Sequence, residues 1–82
     1  GSANGQIKRV LRFKESKPYE FTFKGKLAQG MVQAYVLDCN QITELELDLE
    51  CPSGIIHAQK GKRYYLIIRF QNATGEYTLT WK

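Results

Sequence analysis

The chain is poor in the residues that would narrow its chemistry. Its 82 residues include two cysteines, two prolines, one histidine, one tryptophan and one methionine. The single histidine, His57, has no nucleophile elbow, no paired catalytic carboxylates and no phosphate-cradling glycine loop to work with. The expectation is a protein that is not an enzyme, with no catalytic group, no cofactor and no metal. No stretch approaches the ~20 consecutive apolar residues of a transmembrane helix. Helical periodicity is missing too. The segment "LAQGMVQAY" comes closest, but Gly30 interrupts it and β-branched and aromatic residues follow. There is no internal repeat, low-complexity tract or domain boundary. No signal peptide is visible. Gly1-Ser2 reads as the scar of a cleaved expression tag, so that absence says little about compartment.

What the chain does have is period two. In "KRVLRFK", Leu11 and Phe13 fall on one side, and Lys8, Arg12 and Lys14 on the other. "YEFTFK" sets Tyr19, Phe21 and Phe23 on one face, and "EYTLTW" does the same with Tyr77, Leu79 and Trp81. "MVQAYVLD" is apolar on both parities, as a central strand is. "TELELDLEC" alternates Leu45, Leu47, Leu49 and Cys51 with Glu44, Glu46, Asp48 and Glu50. "IIHAQ" is a short strand and "RYYLIIRF" the strongest one. Between them, "ESKP", "GKLAQG", residues 38–41, "CPSG", "KGK" and "NATG" read as turns or connectors. The expectation is an all-β fold: one antiparallel β-sandwich, jelly-roll or immunoglobulin-like, of seven to eight short strands with no helix. Residues 1–6 are expected to be tag scar and a disordered segment, and 7–82 the single domain. The core should take Leu11, Phe13, Tyr19, Phe21, Phe23, Val32, Ala34, Val36, Leu45, Leu47, Leu49, Leu66, Ile68, Phe70, Tyr77, Leu79 and Trp81.

Charge is unevenly spread. Residues 1–37 carry seven Lys or Arg against two Glu, residues 38–50 carry five acids and no base, and residues 51–82 carry five bases against one acid. The acidic strand is expected to turn its carboxylates to solvent, with Lys or Arg on the neighbouring strand. A metal site is disfavoured. Residues two apart on a strand stand ~6.6–6.8 Å apart and point in parallel, which makes a row, whereas a hard cation needs converging oxygens.

The stretch "ELELDLECPSG" (44–54) resembles the acidic strand followed by Pro-Ser-Gly in bacterial pre-peptidase C-terminal (PPC-like) domains. "KGKRYYLIIRFQNATGEYTLTW" (60–81) is similar to that family's closing pair of strands, an ending shared with small β-sandwich modules of bacterial lipoproteins and secreted proteins. The resemblance implies a non-catalytic, jelly-roll-like appendage of a secreted protein. Related collagen-binding members hold calcium through acids near the start of the domain. Here the first eighteen residues contain one acid, Glu15, so that site does not carry over.

The candidate contact residues lie on the strongest strand. Arg63, Tyr65 and Arg69, with Ile67, share the parity opposite to Tyr64, Leu66, Ile68 and Phe70. Exposed Arg and Tyr are enriched at binding hot spots. The leading function is a non-enzymatic binding or accessory module of a bacterial secreted or cell-surface protein, with a protein or polysaccharide at the cell surface as partner. The alternative is a basic OB-like barrel binding nucleic acid. The acidic strand and the lack of a helix between the middle strands count against it. Asn72-Ala73-Thr74 matches a glycosylation sequon; in a bacterial chain it would be only a turn, and a turn is what is expected here.

Cys39 and Cys51 flank the acidic strand. A straight strand over 42–51 would hold its ends ~30 Å apart at ~3.3 Å per residue, far beyond the ~7 Å between Cα atoms that a disulfide tolerates. Cys51 should continue the leucine face as a buried thiol. The expected outcome is two free thiols. Intact mass should be unchanged by reductant, and a gain of one pair of hydrogens by the monomer would show a bridge.

Overall fold

The alternating segments pair into a single antiparallel sheet with no helix among the described residues, 3–82, of the computed structural model. Its strands are β1 (Ala3–Arg12), β2 (Lys17–Leu37), β3 (Thr43–Asp48), β4 (Ser53–Ala58) and β5 (Arg63–Trp81). The order is β1-β5-β2-β3, and β4 also pairs with β2. Five elements stand where seven or eight were expected, because β2 and β5 each run through a predicted connector. "GKLAQG" and "NATG" are strand, paired with each other between Leu27↔Gly75 and Met31↔Gln71. β1 also starts earlier than expected. Gly5 to Arg12 pair with Phe70 to Arg63, so the strand begins within the segment assigned to 1–6. The tag-scar reading of Gly1-Ser2 lies outside the described residues.

A straight strand of 21 residues would span ~70 Å. The longest dimension of the molecule is 40 Å, so β2 bends. The bend lies where the β2/β5 register shifts, between Leu27 and Gln29 and again between Gln29 and Met31. Such bulges add residues to one strand and turn its direction. They also switch parity: β2 buries Phe21 and Phe23 before the bend, and Val32, Ala34 and Val36 after it. Both halves feed one cluster, joined by Leu47, Ile56, Ala58, Tyr64, Leu66 and Ile68. Phe13, just past β1, ties the halves together. Its ring lies 4.5 Å from Tyr19, 6.3 Å from Phe21 and 5.4 Å from Tyr64, centroid to centroid. Each such buried ring contributes roughly 1.5–3 kcal/mol of transfer free energy. Ile56, Ala58 and Tyr64 enter the core beyond the expected set. Trp81 is less enclosed than expected, 38% exposed, although it stacks on Phe21 at 5.2 Å.

β3 and β4 lie one after the other along the same edge of β2: β3 opposite Gln33–Leu37, β4 opposite Lys17–Thr22. Two aspartates stop the chain at either end of β3. Asp38 is buried, and its Oδ1 accepts from the amides of Asn40 (2.8 Å) and Ile42 (3.0 Å). Asp48 Oδ1 accepts from the amides of Glu50 (2.8 Å) and Cys51 (2.6 Å). Side-chain carboxylates compete in this way with ladder carbonyls for backbone N–H groups. The acidic strand therefore ends at Asp48, short of the expected straight run to residue 51, and Cys51 is exposed instead of continuing the leucine face. Cys39 and Cys51 are both free thiols.

The bend depends on glycine. Gly30 (φ 85°) and Gly75 (φ 140°) have backbone angles that side chains disfavour. A Cβ on Gly30 would run into the Asn72 carbonyl, and one on Gly75 into the Lys26 carbonyl. Gly30→Ala and Gly75→Ala should each destabilise the fold by ~1–3 kcal/mol, the range for a strained backbone position. Urea unfolding monitored by Trp81 fluorescence measures this. A loss below ~0.5 kcal/mol, the size of ordinary surface changes, would mean the bend is not made there.

Candidate binding face

Parity and register together build one outer face across four strands. On β5, Tyr64, Leu66 and Ile68 point into the core, which turns Arg63, Tyr65, Ile67 and Arg69 outward; the arginines are exposed, and Tyr65 and Ile67 half-buried. β1 sets Gln6 beside Arg69, Lys8 beside Ile67, Val10 beside Tyr65 and Arg12 beside Arg63. β2, on the other side of β5, sets Gln33 beside Arg69, Tyr35 beside Ile67 and Leu37 beside Tyr65. β3 completes the face with Asp48 beside Gln33 and Glu46 beside Tyr35.

The result is an apolar centre with cations around it. Val10, 55% exposed, and half-buried Leu37 flank Tyr65. Lys8 Nζ lies 4.9 Å from the centroid of the Tyr65 ring, and Arg69 Cζ 5.6 Å from that of Tyr35. The Tyr35 hydroxyl donates to Gln33 Oε1 at 2.9 Å, which fixes the ring's outer end. Tyr35, Leu37, Thr43, Ile67 and Arg69 line a shallow notch of ≈ 230 Å³. Arg63, Tyr65 and Arg69 thus share a face as their spacing implied. Lys8, Val10, Tyr35 and Leu37 belong to the same face and were missed. Their parity was visible, but nothing local tells which strands flank β5.

The acid row does not find the cations expected on the next strand. The β2 residues opposite Glu46 and Asp48 are Tyr35 and Gln33, and the ion pair formed among the described residues is Glu15–Lys17, at 3.4 Å. Glu44 and Glu46 are exposed at the sheet edge, while Asp48 is half-buried in its turn. Among the described residues, no three of His, Cys, Asp and Glu come together in a way that would hold a metal ion. His57 is exposed on β4, across the ladder from Pro18. The sequon asparagine, Asn72, is a strand residue with φ 48°, and its amide nitrogen donates to Asn4 Oδ1 at 3.0 Å. It sits in the bend and not in the turn expected there.

A double-mutant cycle on Lys8→Met and Tyr65→Leu should return a coupling of ~0.5–1 kcal/mol in stability, the scale of an exposed cation–π pair. A coupling of zero within error would show that the ammonium does not rest on the ring. Comparison with protein-family models and with curated proteins gives no match for this chain.

Proposed function

We propose that the chain is a non-enzymatic binding or accessory module of a bacterial secreted or cell-surface protein. In this reading it is a small β-sandwich, jelly-roll or immunoglobulin-like, whose bent strands form both layers. It holds a protein or polysaccharide on its outer face, with Arg63, Tyr65 and Arg69 as the principal contacts. One observation carries the reading: Lys8, Arg12, Arg63 and Arg69 surround a partly exposed apolar centre, and among the described residues no cross-strand acid neutralises them.

The same observation favours an anionic ligand. Lys8 and Arg69 lie against the rings of Tyr65 and Tyr35, so those rings are already partly covered and offer less area for a neutral sugar to stack on. Carboxylates on a protein surface or an acidic polysaccharide would meet four cations across a sheet face. The resemblance of residues 44–54 and 60–81 to PPC-like domains supports an accessory role and a secreted setting. The OB-like alternative asks for a strand ring closed or nearly so. It draws less support, because β1 and β3 end the sheet and do not pair with each other.

Calorimetric titration against polyglutamate, alginate, neutral dextran and a single-stranded oligonucleotide tests the proposal. Polyglutamate or alginate should bind. Tyr65→Ala, and Arg63→Gln with Arg69→Gln, should each weaken that binding about tenfold or more, as loss of a hot-spot residue does, without altering the melting curve. Preference for dextran, unaffected by the arginine changes, would reject the anionic reading. Tight oligonucleotide binding that collapses with salt would move the chain to the nucleic-acid class.

A further inference from the structure

The sheet stretch β1-β5-β2-β3 ends in two edges of opposite charge. β1 pairs with β5 on one side, and β3 with β2; among the described residues neither has a strand on its other side. An edge strand offers a row of backbone donors and acceptors to any chain that can approach it. β1 carries Lys8, Arg9 and Arg12 and no acid, while β3 carries Glu44, Glu46 and Asp48 and no base. An edge meeting its own copy gathers charge of one sign along the new ladder, which disfavours it. Each edge can accept the other.

We infer that a second copy of this chain docks head to tail, its β1 adding to the free edge of β3. The strand directions allow it without turning the sheet over. Every neighbouring pair from β1 to β3 is antiparallel, so β1 and β3 run in opposite senses. A copy displaced along the sheet therefore presents β1 antiparallel to β3, with its outer face on the same side. One register matches the charges of the outer face. Lys8 stands opposite Asp48, Val10 opposite Glu46 and Arg12 opposite Glu44, while on the inner parity half-buried Leu11 meets half-buried Leu45 and exposed Arg9 falls opposite Leu47; the Asp48 amide already donates to the Cys51 carbonyl at 3.2 Å, so the new ladder forms along Glu44 to Glu46. The contact is heterologous, so each added copy leaves a free edge of either kind, and assembly continues as a filament unless the twist closes it into a ring. The Tyr35–Tyr65 faces then align along the assembly. The inference stands without the proposed ligand-binding role, because its readout is mass and not ligand capture.

Sedimentation velocity of the full chain over a concentration series, at low and high salt, tests it directly. At low salt the weight-average mass should rise with concentration to about double the monomer's or more, as open-ended addition requires. High salt should return it to the monomer, since the pairing charges are solvent-exposed. A monomer at every concentration in low salt overturns the inference. Charge exchange sets the partner. Lys8→Glu with Arg12→Glu makes both edges acidic, and Glu44→Lys with Glu46→Lys makes both basic, so each variant alone should stay monomeric. Mixing the two should restore association, because acidic β1 then meets basic β3 and basic β1 meets acidic β3. Association of either variant alone, or none on mixing variants whose circular dichroism shows the native sheet, overturns it. Should a variant unfold, the salt and concentration series on the unaltered chain decides alone.

Discussion

The shape of this protein rests on one geometric constraint. Two strands of 21 and 19 residues pair along most of their length, and the molecule is 40 Å long. They must bend, and a paired ribbon bends only where its ladder gives way. The chain supplies that place at Gly30 and Gly75, where each backbone passes so close to the other that a methyl group would collide. The bend brings Phe21 and Phe23 from one half to the same cluster as Val32, Ala34 and Val36 from the other. In a sheet without it, these residues would lie far apart and a chain of 82 residues could enclose little apolar surface.

The bend also decides what remains exposed. Because the buried parity of β2 and β5 switches across it, Tyr35, Leu37, Tyr65 and Ile67 turn outward in the half that carries β1 and β3. The outer face and the two edges are thus consequences of the same folding-over. Asp48 fixes the far limit of the acidic edge by taking the amides of Glu50 and Cys51, which pulls the chain out of the ladder before Leu49 can extend it. Asp38 does the same work at the other end of β3.

Charge here is arranged by strand more than by pair. On the outer face Lys8, Arg12, Arg63 and Arg69 occupy β1 and β5, Glu46 and Asp48 occupy β3, and Gln33, Tyr35 and Leu37 of β2 lie between them. Exposed ion pairs add little stability, so separating the signs costs the fold little. What separation creates is a basic region around an apolar centre and two edges that repel their own kind.

Much of this was legible in the chain itself. Alternation is a local property: successive side chains on a strand point to opposite faces, so Phe21 and Phe23, Leu45 and Leu47, or Leu66 and Ile68 declare their common side without knowledge of any neighbour. The all-β class, most of the core and the outward parity of Arg63, Tyr65 and Arg69 follow from that alone. Tertiary structure decided the rest. Whether "GKLAQG" turns the chain or bends a continuous strand depends on Gly30 meeting Asn72 across the ladder, forty-two positions away. That Lys8 covers Tyr65, that Tyr35 and not a cation faces Glu46, and that Cys51 is exposed depend likewise on register and on a side chain capturing backbone amides. Periodicity along a strand carries no record of which strand lies beside it, because ladder hydrogen bonds are made by backbone groups that every residue but proline shares.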